Sequence, residues 1–465
     1  METLQRTANR GSLSTGFDVD NSVKLEVDNN EWLYRDAPTA GNRKTFTLSL
    51  WLKRAVLGHI PAGGDEYLAG QGSNARYHFA GDTIRFMFES GSTELESSRV
   101  YRDPSAWYHF VLAVDTSQGT AANRVKLYVN GVQEAWNNTE YPSLNQESDW
   151  MNTNDLYIGT KWGNNSTGDG DNDLSGYLSE VVLLDGTAAS PTSFGEVDDD
   201  SGIWIPIDVS GLTFGSQGFY LNFSNASSSG EDFSGNDNDL LDSNLSAADH
   251  STDTPTNNFC TWNPLWNYAS YPTITEGATK VRIGDSTNEG AKGTIGLTNG
   301  KWYWEAKPFY TLGAQQIGIQ TDGDSNIYAN ANSTANNYGM WINPIGRYYT
   351  YSDGQTESSD QGWDLTASDW LGIALDMDSS TQTIKYYKNG SLIQSLDLIS
   401  NMQGRTVFPF LMNYENRSFD INFGGYTINT ISSAETDANG YGTFEYAPPS
   451  GHYSICTKNL AEFGG

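Results

Sequence analysis

Residues 107–115 read WYHFVLAVD and residues 124–131 read RVKLYVNG. Both runs are rich in aromatic and β-branched side chains, which pack well on a pleated surface. The second ends at Asn130-Gly131, and Asn-Gly supplies the positive φ angles that a two-residue hairpin turn requires. Working outward, FTLSLWLKR at 46–54 alternates like a half-buried strand, and Asp155–Gly159 and Gly176–Leu184 read as further strands. The rhythm returns later: DWLGIALD at 369–376 leads into TIKYY at 383–387 and a second Asn-Gly pair, Asn389-Gly390. Trp302–Ala306, Gln316–Gln320, Phe408–Met412 and Ser418–Phe423 complete that set. No amphipathic helical run of three or more turns interrupts either half. The fold class is therefore all-β, with two antiparallel β-sandwiches.

A chain of 465 residues suits two or three domains and can bury substantial cores without disulfides. A polar N-terminal arm is expected over 1–15 and a first sandwich over 16–250. The Pro-containing polar stretch 251–262 reads as a linker, and a second sandwich with a C-terminal extension follows over 263–465. The formal charge of −31 repels phosphates, which argues against direct nucleic-acid binding. No segment approaches the ~20 apolar residues of a membrane span, so no membrane insertion is expected. Cys260 and Cys456 are the only cysteines, too few for a disulfide framework. Two free buried thiols are expected, a late disulfide being the alternative. Met1-Glu-Thr-Leu-Gln-Arg lacks a secretory pattern, which places synthesis in a cytoplasm.

The motifs FTLSLWLKR (46–54), WYHFVLAVD (107–115), KLYVNG (126–131) and LYIGTKW with LSGYLSEVVLLDG (156–186) resemble a laminin G-like, concanavalin A-like jelly roll. GKWYWEAK (300–307), DWLGIALDMDSSTQTIKYYKNG (369–390) and FPFLMNYENRSFDINFG (408–424) resemble a SPRY domain. Their order, with DTPTNNFCTWNPL (253–265) between them and PPSGHYSICTKNL (448–460) at the end, is similar to structural proteins of marine tailed bacteriophages. The resemblance implies a virion location, contacts with other virion proteins and a fibre or appendage role. Fibre symmetry adds the expectation of a homo-oligomer, a trimer favoured. The partner beyond the particle is expected to be a host surface glycan or protein receptor. A capsid decoration protein and a polysaccharide depolymerase are the alternatives.

Candidate chemistry is thin. Glycoside hydrolysis needs two facing carboxylates. The nearest approach, Glu180 and Asp185, has an odd spacing that turns the side chains to opposite faces of a strand. None of His59, His78, His109, His250 and His452 lies near a nucleophile elbow, and His109 reads as a packed or hydrogen-bonded strand residue. The chain is therefore expected not to be an enzyme. Asp169, Asp171 and Asp173 alternate as a candidate calcium site, with a solvated acidic loop as the alternative; Leu174 stands where an EF-hand requires glycine. The acidic runs 231–237 and 322–326 are weaker versions. Trp136, Trp150, Trp162, Tyr348, Tyr349, Tyr351 and Trp363 are candidate ligand contacts in or beside loops, local packing being the alternative. Trp302 and Trp304 are assigned to the core. Arg6 and Arg10, cationic in an acidic chain, are candidate docking residues of the N-terminal arm.

Overall fold

A computed structural model describes residues 16–36, 38–57, 65–89, 93–138, 140–161, 173–199, 201–266, 273–282, 289–308, 315–322, 338–352, 355–413 and 419–464. The chain divides into two compact units, one ending at Thr256 and the other continuing from Asn257. Each is a β-sandwich. Thr457–Phe463 is the α-helix among the described residues.

The first unit stacks an eight-stranded sheet on a seven-stranded sheet, all pairs antiparallel. The eight-stranded sheet runs in the order Val132–Gln133, Val125–Val129, Trp107–Asp115, Thr45–Arg54, Gly176–Asp185, Ser22–Leu25 and His250–Ser251, with Phe219–Leu221 also paired to Gly176–Asp185. The seven-stranded sheet runs Leu241–Ser243, Trp32–Arg35, Leu156–Ile158, Asp65–Gln71, Ala75–Ala80, Thr83–Glu89 and Thr93–Val100. Leu48, Leu50, Phe110, Leu112, Tyr77, Phe79, Phe86 and Ile158 fill the space between them.

Thr45–Arg54 departs from the half-buried strand expected of it. Nine of its ten positions are buried, because the outer face has a cover of its own. Phe194, Val209 and Phe214 pack there on Val111, Val182, Leu184 and Tyr220. The segment after residue 186 thus forms a third layer over part of the sandwich, which strand periodicity alone does not announce.

The second unit pairs an eight-stranded sheet with a six-stranded one. Lys301–Pro308 is central to the larger, flanked by Leu371–Asp376 and Phe419–Asn422. Trp302 and Trp304 are fully buried and point the same way along that strand, as expected. Both Asn-Gly hairpins form as read: Asn130 and Asn389 have φ of 49° and 48°, followed by Gly131 and Gly390 at 78° and 77°. Among the described residues no helix is long and apolar enough to cross a membrane.

The units divide within the stretch 251–262, between Thr256 and Asn257, and this stretch is largely buried. Ser251, Asp253, Thr254 and Thr256 are buried, as are Asn257, Asn258, Phe259, Cys260, Thr261 and Trp262. Thr256 exchanges hydrogen bonds with Val19, whereas the Cys260 amide donates to the Ile455 carbonyl. Its polar groups are satisfied within each unit. Both thiols are free and buried. Cys456 is bridged to Phe259 rather than to Cys260, so neighbouring thiols lie on alternate sides of that short ladder.

Candidate functional site

The described part of the first unit concentrates buried charge where Ser22–Leu25, Thr45–Arg54 and Gly176–Asp185 run side by side. Lys24 and Lys53 are both opposite Tyr177, and Arg54 is opposite Gly176. Arg54 is 1% exposed. Its guanidinium donates to Glu66 at 2.8 Å and 3.2 Å, to Asp82 at 3.2 Å and to the Tyr101 carbonyl at 2.8 Å. It also lies 4.1 Å over the Phe79 ring, a cation–π contact in a desolvated setting. Lys53 reaches Asp253 at 2.5 Å, and the Trp107 indole donates to the other oxygen of that carboxylate at 3.0 Å. Lys24 lies between two carboxylates, Glu31 at 2.8 Å and Asp249 at 2.9 Å. Burial pushes the Glu31 carboxyl up to about 7 against the opposing pull of Lys24.

His109 is the residue most suggestive of catalysis, and its geometry says what it does. It is fully buried, stacked on Trp51 with ring centroids 4.6 Å apart, and its Nε2 is 2.8 Å from Ser49 Oγ. Trp204 Nε1 meets its Nδ1 at 2.9 Å. An indole N–H can only donate, so Nδ1 is the acceptor and the ring proton resides on Nε2. That proton points at Ser49 Oγ, so His109 is a donor to the serine and not the base that would activate it. Burial holds the imidazole down at about 3, which keeps this neutral tautomer across the ordinary pH range.

Glu180 and Asp185 do not face each other. A bulge between Ser179 and Val182 puts Glu180 in left-handed backbone at φ 50°, where its carboxylate accepts from the Tyr220 hydroxyl at 2.5 Å. Burial raises the Glu180 carboxyl to about 7. Asp185 instead accepts the amides of Asn42 at 2.6 Å and Gln217 at 3.1 Å, tying loops together. In the second unit Glu305 is also raised by burial to about 7, although the Glu445 and Tyr446 amides each donate to it at 2.8 Å. Sequence reasoning passed over Glu305; its signal was an acid within the aromatic strand WYWEA.

The aromatic candidates divide by exposure. Trp150 is core: 2% exposed, stacked on Phe86, with its indole donating to the Met87 carbonyl at 2.9 Å. Trp136 is half-buried against the same core and donates to the Val125 carbonyl. Trp363 and Tyr349 are buried, Trp363 donating to the Asn343 carbonyl and Tyr349 bonded to Asn343 and Glu357. Tyr351 joins Trp341, Tyr349, Phe410 and Met412 in one cluster, while Tyr348 on the same strand is half-buried. Rings buried this way present no face to a ligand. Trp162 lies outside the described residues, as do Asp169, Asp171, Arg6 and Arg10.

Asp173, the described end of the acidic run, is buried and raised to about 6 by burial, with Thr160 bonding to it and Lys161 nearby. Among the described residues no group of three His, Cys, Asp or Glu side chains could hold a metal ion. Asp232, in the run 231–237, spends its oxygens on the amides of Tyr220, Ser234 and Asn238.

The outward face of the seven-stranded sheet offers a different surface. Register aligns Leu241, Tyr34, Tyr157, Gly70, Arg76, Met87 and Glu94 in one row across all its strands. Their neighbours Leu33, Ile158, Ala69, Tyr77, Phe86 and Leu95 point into the core, so this row points away from it. Leu241 is 52% exposed and Tyr34 is half-buried, whereas Tyr157, stacked on Tyr34 with centroids 6.2 Å apart, is 9% exposed and the Lys161 backbone lies close over Gly70. Alternating hydrophobicity signals such a face, but only the register reveals the row.

A laminin G family model described as "Concanavalin A-like lectin/glucanases superfamily" matches residues 26–192. No curated protein matches the chain. Among solved structures, the chain is similar to the LG4-5 domains of the mouse laminin alpha1 chain, at 10% identity over 94% of this chain and 97% of that one, TM-score 0.28. It is similar to the SPRY domain of human HERC1, at 14% identity over 36% of this chain and 99% of that one, TM-score 0.27. A heptameric SAP-like pentraxin from Limulus polyphemus matches at 16% identity over 37% of this chain and 80% of that one, TM-score 0.28.

Proposed function

We propose that this chain is a non-enzymatic structural protein of a tailed-bacteriophage particle, a tail fibre, appendage or receptor-binding component that holds a host surface glycan or protein. The observation that carries the recognition part is the row Leu241–Tyr34–Tyr157–Gly70–Arg76–Met87–Glu94 on the face turned from the core. Its partly exposed members, Tyr34, Arg76, Met87 and Glu94 beside the exposed Leu241, put a tyrosine ring, a guanidinium and a carboxylate on one face, a mixture that grips polar surfaces by stacking and directed hydrogen bonds. Two candidate catalytic arrangements do not form: the Nε2 proton of His109 faces Ser49, and Glu180 and Asp185 hold separate internal bonds. The particle assignment comes from the order of sequence motifs along the chain.

Binding of the purified chain to intact host cells and to an array of their surface glycans tests this reading. Tyr34→Ala and Arg76→Ala should each weaken retention at least about tenfold, the usual loss when an interface anchor is truncated. Binding that is undiminished in both variants would remove this face from the proposal. Release of reducing sugar from host polysaccharide would replace it with a depolymerase. Labelled chain spread evenly over phage heads would favour a decoration protein.

A further inference from the structure

Lys24, Glu31 and Asp249 form a site whose chemistry goes beyond recognition and is independent of it. Pairing of Ser22 with Ser251 and of Val23 with His250 brings Asp249 to the position across from Lys24. The first strand of the sandwich therefore meets its closing segment at a lysine and an aspartate. Their side chains are 1% and 10% exposed, and that of Glu31 is 4% exposed. Lys24 Nζ is 2.9 Å from Asp249 Oδ1, and 2.8 Å and 3.1 Å from the two oxygens of Glu31. Asn29 fixes Glu31 by donating to it at 2.9 Å. The other oxygen of Asp249, Oδ2, accepts the Ser246 amide at 2.9 Å and the Ser246 hydroxyl at 3.0 Å.

We propose that Lys24 and Asp249 condense into an intramolecular amide, with Glu31 as the proton carrier and Ser246 as the oxyanion donor. Glu31 in its acid form protonates Asp249 Oδ1 and takes a proton from the Lys24 ammonium. The freed amine attacks Cγ of Asp249, and a C–N bond forms. The negative charge that develops on Oδ2 is met by the Ser246 N–H and O–H, placed as donors to a tetrahedral intermediate must be. The second amine proton passes through Glu31 to Oδ1, the C–Oδ1 bond breaks, and one water leaves. Ammonium plus carboxylate gives amide plus water, so charge and atoms balance, no oxidant is required, and Glu31 ends as it began.

Three physical terms favour the step. Contact at 2.9 Å holds the reactants near attack distance, replacing a bimolecular encounter. Burial raises the Glu31 carboxyl to about 7, so its acid form is available beside both partners as the proton carrier. The product is neutral, so a costly buried ion pair is replaced by one amide in a site from which water is excluded. Lys53 and Asp253 serve as an internal comparison. They are as close and as buried, and the Trp107 indole donates to Asp253, so mapping this pair alongside Lys24–Asp249 shows whether proximity alone suffices.

Intact mass of the full chain tests this, with peptide mapping to locate any loss. The wild type should weigh one water less than its sequence, and digestion should give a branched peptide joining Lys24 to Asp249. Glu31→Gln and Lys24→Met should each keep that water, with a cooperative melt showing that they fold. A folded wild type at full sequence mass would overturn the proposal, a result that needs no variant. A branch at Lys53–Asp253 or at Lys24–Glu31 would overturn the assigned pair, and water loss at Lys24–Asp249 in Glu31→Gln would overturn the role of Glu31.

Discussion

The most deeply buried charged groups of the two sandwiches are held differently. The first uses full charges: Lys24, Lys53 and Arg54 are buried in ion pairs, and two of these hold the closing segment through Asp249 and Asp253. In the second, the fully buried Glu305 is met by neutral donors, with the Glu445 and Tyr446 amides anchoring the C-terminal extension to it. A buried ion pair is costly to assemble and far costlier to halve. A carboxylate held by amides costs one desolvation and returns several hydrogen bonds. The first arrangement sets up groups that can react with each other; the second sets up a clasp.

The largest expected effect comes from halving a charged site. Arg54→Met leaves Glu66 buried beside an apolar chain and should cost the first unit about 3–5 kcal/mol, read from its urea transition. A loss under about 1 kcal/mol would mean that water reaches this site. Glu305→Ala strands two amides and should cost the second unit about 2–4 kcal/mol, with faster proteolysis after residue 435. If both variants cost the same and both free the closing segments, the contrast between the units fails.

Trp204→Phe sharpens the picture at a smaller scale, about 1–3 kcal/mol, by removing the donor to His109 Nδ1. Nitrogen NMR of the wild type should show the proton on Nε2 of His109. A proton on Nδ1 would contradict the assignment and restore His109 as a base for Ser49.

The smallest effect is the pH dependence. Glu180 and Glu305, near 7 in the fold against an ordinary 4.5, hold protons that the unfolded chain has released, so stability falls as pH rises through that interval. His109 and His78, at about 3 and about 4 against 6.5, act in the other direction: their contribution is present above 6.5 and is lost as pH falls below it. The slopes oppose each other between 4.5 and 6.5; above that Glu31, Glu180 and Glu305 set a falling slope, and Lys292, lowered by burial to about 8, opposes it near pH 8. Melting temperature should decline between pH 6.5 and 8 by the equivalent of about 1–3 kcal/mol, and Glu180→Gln with Glu305→Gln should lessen the decline, leaving the share of Glu31.

Strand content and both hairpins were legible because alternation and Asn-Gly are local signals. The buried charges were not. Lys53 and Arg54 end the run FTLSLWLKR, where a strand normally exits to solvent, and nothing nearby in sequence announces Asp253 or Glu66 as partners. The polar stretch 251–256 looked like a linker for the same reason: its partners Lys53, Trp107, Ser22 and Val19 are remote in sequence. Loop aromatics such as Trp150 and Trp363 misled in the other direction, since an irregular backbone can still direct a ring into a core.

Hydrogen exchange over residues 250–256 in the full chain tests most directly whether the first sandwich is closed by buried charge. The amides there should be protected like those of Trp107–Asp115 in the wild type and should lose that protection in Lys53→Met, with residues 444–454 unchanged. Rapid exchange over 250–256 in the wild type would contradict the account.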